Sequence, residues 1–136
     1  MHGGAQATLI DTLTSVALMV SEAATQLQAG AETIEMSATV SVSLLVEFMA
    51  AGRAGAPLFF ECSIDRSGKR LAFLGAKVYA EETGGKRTLV ARGRHVKSIV
   101  PGAGFKVPRT KLLAGIAEAA KRRAAGAAPE PGRSKL

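Results

Sequence analysis

The apolar pattern of this chain changes its period once, and that change constrains the fold most. Apolar side chains in residues 5–27 recur at helical spacing, whereas residues 33–45 alternate apolar and polar side chains. The first pattern predicts one long helix, and the second predicts a half-buried strand. The large apolar positions of the predicted helix are Leu9, Leu13, Val16 and Val20.

Three further strands are predicted over residues 58–64, 70–82 and 87–100, with the stretches "DRSGK" and "TGGK" as turns. The stretch "VEFMAAGRAGAP" breaks the alternation and predicts a loop after the first strand. We therefore expect an α+β fold in which one helix packs on a curled antiparallel meander of four strands. The open edges of such a sheet favour a homo-oligomer that joins sheets edge to edge.

The charge of the chain is concentrated at its C-terminal end. Of the net charge of +7, residues 1–104 hold ten Lys/Arg against nine Asp/Glu, and residues 105–136 hold eight against two. We therefore expect a domain over residues 1–101 and a basic tail over residues 102–136, which is helix-prone and then rich in Pro and Gly. A nearly neutral domain argues against a specific nucleic-acid partner.

Two features of the composition bear on the cellular compartment of this protein. A single cysteine, Cys62, excludes an internal disulfide and favours a reducing environment. The apolar run of residues 5–20 is interrupted by polar side chains and follows no basic segment, so we expect neither a membrane span nor a signal peptide.

The opening stretch "MHGGAQATLID" contains one charged side chain, Asp11. Asp11 either faces water beside Thr8, Thr12 and Ser15, or is retained for function, because burying an unpaired carboxylate is costly. The glycines at the start of the helix expose backbone N–H groups that could stabilise an oxyanion. Asp11 lies roughly 12 Å further along the helix, so in the functional alternative it could serve as a general base at the helix N-terminus of a neighbouring subunit, if two antiparallel helices lie side by side.

Other catalytic patterns are weak in this sequence. Neither His2 nor His95 belongs to a cluster with metal-ligand spacing, and the position of His95 on a predicted strand favours a structural role. The sequence contains neither a phosphate-binding P-loop nor a GxSxG nucleophile elbow. We therefore expect neither a metal nor a cofactor.

Four stretches together resemble the hotdog-fold acyl-CoA thioesterases, and in particular their phenylacetyl-CoA-type group. They are "HGGAQATLIDTLTSVALM", "TIEMSATVSVSLL", "RSGKRLAF" and "ARGRHVKSI", within residues 2–100. The resemblance implies a hotdog fold, a homodimer or homotetramer, and hydrolysis of a fatty or aromatic acyl-CoA to free acid and CoA.

The same resemblance implies roles for individual residues. Gly3 would polarise the thioester carbonyl through its backbone N–H, Asp11 would activate water or attack the carbonyl across the dimer interface, and Thr33 would orient the water. His2 and Gly4 would contribute to substrate binding through the motif loop. The residues implied to lie near the CoA-binding cleft, where basic side chains suit its phosphates, are Lys69, Arg70, Arg94, His95 and Lys97.

The chain also departs from the family pattern. Family members carry a further helix and strand before the HGG motif, with an Asn or Gln in the loop that leads into it, whereas this sequence begins one residue before that motif. We therefore expect a missing N-terminal strand and an incomplete gene product. The alternative function is a truncated, inactive module that only dimerises or binds acyl-CoA.

The sequence ends in the tripeptide Ser134, Lys135 and Leu136. An accessible C-terminal Ser-Lys-Leu is read by the peroxisomal import receptor. The Pro/Gly-rich stretch before it favours accessibility, and we therefore expect a peroxisomal enzyme.

Overall fold

The computed structural model describes residues 3–51 and 55–126. The predicted site residue His2 and the predicted targeting residues Ser134, Lys135 and Leu136 lie outside the described residues. In chain order the elements are α1 (Gly3–Gln28), β1 (Thr33–Phe48), β2 (Leu58–Ser67), β3 (Leu71–Glu81), β4 (Arg87–Pro108) and α2 (Arg109–Ala124).

The long helix is confirmed, but its large apolar side chains at helical spacing are not the ones that are buried. Buried side chains recur every fourth residue, at Gln6, Ile10, Thr14 and Leu18. Val16 and Val20, two of the large apolar positions of the predicted helix, are 47% and 61% exposed. The sheet-facing stripe contains two polar residues among its apolar ones, so hydropathy alone selects the wrong side of the helix.

The four strands form one antiparallel sheet in the order β1-β4-β3-β2. The predicted meander holds for β2, β3 and β4 but is wrong for β1, which lies at the opposite edge from β2. Alternation within a strand identifies which side chains share a face, but it does not specify the neighbouring strand. The consequence for the site is that β1 lies beside β4.

Both β1 and β4 are longer than the sequence predicted. β1 continues through Phe48 into the predicted loop, and β4 continues to Pro108, which pairs with Thr33. The predicted domain boundary at residue 101 therefore falls inside β4. Glycine allows this continuation, because Gly104 has φ +145° and a Cβ there would collide with the carbonyl oxygen of Met36.

The core lies between α1 and one face of the sheet. It consists of two neighbouring clusters, one around Ile10 and the other around Leu18. α1 approaches β4 closely at Gly93, where an added Cβ would lie 2.7 Å from Cγ2 of Ile10. This close approach places the next residue of the helix, Asp11, beside the following helix-facing position of β4.

The sequence predicted no membrane span, because polar side chains interrupt the apolar run of residues 5–20. By length and composition alone α1 could cross a membrane, which is also true of many core helices of soluble proteins. In this fold its buried stripe packs on the sheet, while Val16 and Val20 on another side remain exposed.

Candidate active site

Strand β4 places His95 and Lys97 on the side of the sheet that faces α1. Both residues are buried, with exposures of 0% and 5%. Successive side chains of a strand point to opposite faces, so Arg94 lies on the outer face and is exposed. The predicted basic group of Arg94, His95 and Lys97 is therefore divided between the two faces, and only its buried members lie near α1.

The carboxylate of Asp11 meets these two residues across the space between helix and sheet. Its Oδ1 accepts a hydrogen bond from Ser41 Oγ at 3.1 Å and lies 3.3 Å from His95 Nε2. Lys97 Nζ lies 4.0 Å from the same oxygen. The Asp11 side chain remains 45% exposed, so it can meet water or substrate while its other side touches the sheet.

Ser41 reaches this cluster from an irregular part of β1. Ser41 pairs with Lys97, whereas Ser43 pairs with Val96, so β1 has an extra residue between them. Such a bulge redirects neighbouring side chains. Ser41 Oγ lies 2.9 Å from His95 Nε2, so its hydroxyl proton lies between that nitrogen and the Asp11 carboxylate.

Hydroxyl groups lie at hydrogen-bond distance from both ring nitrogens of His95. Thr14 Oγ1 lies 2.7 Å from Nδ1 and donates its own proton to the carbonyl oxygen of Ile10, also at 2.7 Å. Ser41 Oγ lies 2.9 Å from Nε2. Burial lowers the pKa of His95, the Lys97 ammonium lowers it further and Asp11 opposes them, so the ring is neutral at pH 7.

Lys97 is held by hydroxyl groups on two elements. Its ammonium donates to Ser15 Oγ on α1 at 2.9 Å and to Ser41 Oγ on β1 at 3.3 Å. Ser15 in turn donates to the backbone carbonyl of Asp11 at 2.7 Å. The charged end of Lys97 is therefore anchored beside the carboxylate without a close ion pair.

Together these residues form a proton-accepting site. A half-exposed carboxylate and a neutral imidazole lie 3.3 Å apart, with a buried ammonium beside them. Carboxylate and imidazole groups are the usual general bases of enzymes, and a nearby cation stabilises negative charge that develops on a substrate. The geometry is suited to removing a proton from water.

Two other predicted catalytic residues do not reach Asp11 within one chain. Gly3 is the first described residue of α1 and packs against the ring of Phe48, and Gly4 follows it. Gly3 lies roughly 12 Å from Asp11 along the helix. Thr33 begins β1, eight residues before Ser41, which corresponds to about 26 Å of strand. Their catalytic roles stay predictions.

The remaining predicted basic residues lie at the turn between β2 and β3. Lys69 and Arg70 are both exposed there. The backbone carbonyl of Arg70 accepts from the amide of Ile99 on β4, two residues beyond Lys97. Their predicted contact with CoA phosphates is not tested by this geometry. Within residues 3–51 and 55–126, no group of three His, Cys, Asp or Glu side chains is arranged to hold a metal.

Sequence reasoning missed Thr14 and Ser41 as parts of the site, and it assigned Ser15 only to a possible polar surface. Helical spacing places Asp11, Thr14 and Ser15 near one another, and alternation places His95 and Lys97 on one face. These two signals could have identified the cluster in part. The bulge that brings Ser41 to it leaves no signal in the sequence pattern.

Comparisons with known proteins agree with this fold. A model of the thioesterase superfamily matches residues 1–86. Acyl-coenzyme A thioesterase 13 of Mus musculus is 30% identical over 99 residues, which cover 73% of this chain and 60% of that protein. The chain thus spans about three fifths of the length of this relative.

Two solved structures share the architecture. A Bacillus halodurans protein crystallised with CoA is 27% identical, with a TM-score of 0.52 over 74% of this chain and 56% of its own. An apo-hexameric acyl-CoA thioesterase has a TM-score of 0.60 over 95% of this chain and 83% of its own. At 19% identity the second likeness concerns the fold alone.

Proposed function

This chain belongs to the thioesterase superfamily, and we propose that it hydrolyses a fatty or aromatic acyl-CoA to free acid and CoA. The observation that carries the proposal is the position of Asp11, the lone charged residue of the opening stretch, 3.3 Å from the buried imidazole of His95. A relative at 30% identity is named as an acyl-coenzyme A thioesterase, which supports the substrate class.

In the proposed reaction Asp11 takes a proton from water, and the resulting hydroxide attacks the carbonyl carbon of the thioester. The C–S bond then breaks, the acyl group leaves as the acid, and CoA leaves as a thiolate that takes up a proton. A backbone N–H at the start of α1, that of Gly3, would stabilise the oxyanion. No cofactor takes part in these steps.

A second copy of the chain would supply the distant groups. The distances from Gly3 and Thr33 to Asp11 support an active site shared between subunits. β1 is an edge strand, and Val40 and Val42 on it are 55% and 60% exposed. An apolar edge strand favours pairing with another chain, so we infer a homodimer or a higher homo-oligomer.

The experiment for this function is thiol release from a panel of short-chain, long-chain and aromatic acyl-CoA compounds. We expect turnover above the spontaneous rate for at least one of them, and the pattern of rates would define the acyl group. Acyl-CoA binding without turnover of any compound would contradict the proposal and favour a binding module.

The cellular site proposed for this activity is the peroxisome. The support is the C-terminal tripeptide of Ser134, Lys135 and Leu136. A fluorescent protein fused before residue 1 should collect in peroxisomes, and the same fusion without the last three residues should not. Equal distributions of the two fusions would contradict the proposal.

A further inference from the structure

We propose that α2 and the adjoining side of α1 dock this protein onto an anionic lipid surface. In this arrangement half-exposed apolar side chains enter the bilayer interface, and the basic last turn of α2 binds the phosphates of the headgroups. That turn carries Lys121, Arg122 and Arg123, and we refer to these three residues as the basic turn. The proposal goes beyond the proposed hydrolysis and can be tested without any acyl-CoA.

The first support is that α2 is attached to the fold only through its first turn. Arg109 and Leu112 are half-buried, whereas every residue from Leu113 to Gly126 is exposed, and no residue of the helix is fully buried. Helices in globular proteins gain most of their stability by packing an apolar face on the core. A helix of 16 residues that packs so little leaves its apolar face exposed.

The second support is an apolar surface formed by Val16, Val20, Leu113 and Ile116. Val16 and Val20 of α1 and Ile116 of α2 line a groove of about 320 Å³ between the two helices. Leu113 lies three residues before Ile116 and therefore on the same side of α2. These four side chains are between 44% and 61% exposed, so a bilayer interface that removed them from water would stabilise the bound state.

Basic side chains flank the apolar face of α2 on both sides. Helical spacing places Lys121 to one side of the face that contains Leu113, and Arg123 to the other side. Within the described part of the chain neither side chain has a salt-bridge partner, whereas Arg122 lies 3.4 Å from Glu118. Long basic side chains beside an apolar face can keep their charge among the headgroups while their stems contact the hydrocarbon. This arrangement is typical of helices that lie in the plane of a membrane interface.

The charge of this region suits an anionic partner, and its apolar side chains favour lipid over nucleic acid. Residues 105–136 carry eight Lys/Arg against two Asp/Glu. Single-stranded nucleic acids are usually bound through aromatic side chains that stack on the bases, and α2 contains none. Aliphatic side chains such as Leu113 and Ile116 gain little from contact with a phosphate backbone. An anionic bilayer satisfies both the charge and the apolar surface.

The first test is sedimentation of the full chain with vesicles of phosphatidylcholine alone and of an equimolar mixture with phosphatidylserine. The parent should bind the anionic vesicles far more tightly than the neutral ones, and added salt should weaken this binding. A triple variant with Lys121→Gln, Arg122→Gln and Arg123→Gln should bind about 100-fold more weakly, since each charge contributes about fivefold. Glutamine retains the helix propensity of these residues, so α2 should stay helical.

The matched control removes the same charge from exposed positions elsewhere. It combines Lys77→Gln on β3, Lys86→Gln in the turn after β3 and Arg92→Gln on β4. This variant should bind anionic vesicles within about twofold of the parent, because local charge near the surface matters more than net charge. An equal loss in the two triple variants would overturn the role of the basic turn.

The second test follows insertion of the apolar surface into the bilayer. The chain contains no tryptophan, so Leu113→Trp introduces a single fluorescent reporter on α2. Phe73→Trp introduces a matched reporter on the outer face of the sheet, at a side chain that is 40% exposed. With anionic vesicles the emission from position 113 should shift to shorter wavelength, whereas the emission from position 73 should not change. Equal behaviour of the two reporters would overturn the proposed orientation.

Other partners are distinguished by the same measurements. A parent chain that binds no anionic vesicles but binds an RNA or DNA oligonucleotide through the basic turn would overturn the proposal. So would a homo-oligomer that Ile116→Gln converts to a monomer without any vesicle binding, because the apolar surface would then be an interface between copies. Vesicle binding by a chain that hydrolyses no acyl-CoA would support the proposal and contradict the proposed function. Hydrolysis without vesicle binding would do the reverse.

Discussion

The two faces of β4 carry similar side chains with different consequences. On the outer face Arg92 binds Glu47 at 2.6 Å, and its hydrogen bond lowers the pKa of that exposed carboxyl. On the helix-facing side, His95 and Lys97 are buried against one carboxylate, Asp11. Water screens the outer pair, whereas on the inner side burial lowers the pKa of His95, Lys97 lowers it further and Asp11 raises it. The face to which a β4 side chain points thus determines whether it belongs to the candidate active site or to the exposed surface.

The largest expected effect on stability tests the assignment of the two faces on β3. Leu74 faces the helix and is 2% exposed, whereas its neighbour Phe73 is 40% exposed on the outer face. Leu74→Ala should lower the free energy of unfolding by about 3 kcal/mol, because it removes packed core atoms. Phe73→Ala should cost about 1 kcal/mol. Urea denaturation measures both, and equal losses would contradict the assignment.

A second pair of variants compares the two faces of β4 in catalysis. His95→Gln should lower kcat for acyl-CoA by about 100-fold, because it removes the imidazole beside Asp11. Arg92→Gln removes a charge from the outer face and should leave kcat near that of the parent. Steady-state thiol release measures both. If Arg92→Gln lowered kcat as much as His95→Gln does, the functional difference between the two faces of β4 would be contradicted.

The features of the fold and site that depend on residues close in sequence could be predicted from the sequence. The pattern of residues 5–27 identified the long helix, the alternation of residues 33–45 identified the first strand, and turn stretches such as "DRSGK" and "TGGK" delimited later strands, because all these signals depend on neighbouring residues. The HGG motif with Asp11 pointed to the thioesterase superfamily. Those inferences needed no information about tertiary contacts.

The features of the site that could not be predicted from the sequence depend on contacts between residues far apart in the chain. The pairing of β1 with β4 brings Ser41 to His95, and the close approach at Gly93 brings Asp11 to the same place. The buried stripe of α1 includes Thr14 because its hydroxyl satisfies His95. A hydropathy pattern treats such a residue as polar surface and therefore selects the wrong helix face.

The smallest expected effect is the pH dependence that His95 gives to stability. Its pKa is lowered from the ordinary value of 6.5, so below that pH the unfolded chain binds a proton that the folded chain resists. The stability linked to His95 is therefore complete above pH 6.5 and is lost as the pH falls below it. Thermal unfolding of the parent should show this decline, and His95→Gln should show less of it. If the parent and His95→Gln lost the same stability as the pH falls, the assignment of a buried, neutral His95 would be contradicted.

The most direct test of the account is the rate of thiol release by Asp11→Asn at saturating acyl-CoA, with Asp65→Asn as the matched control. Asp65 is an exposed aspartate on β2, where it accepts a hydrogen bond from Ser63. We predict that Asp11→Asn lowers kcat by about 1,000-fold while the chain stays folded, because the amide cannot take the proton of water. Asp65→Asn should retain the parent rate. Full activity of a folded Asp11→Asn variant would contradict the central claim that this carboxylate carries out the hydrolysis.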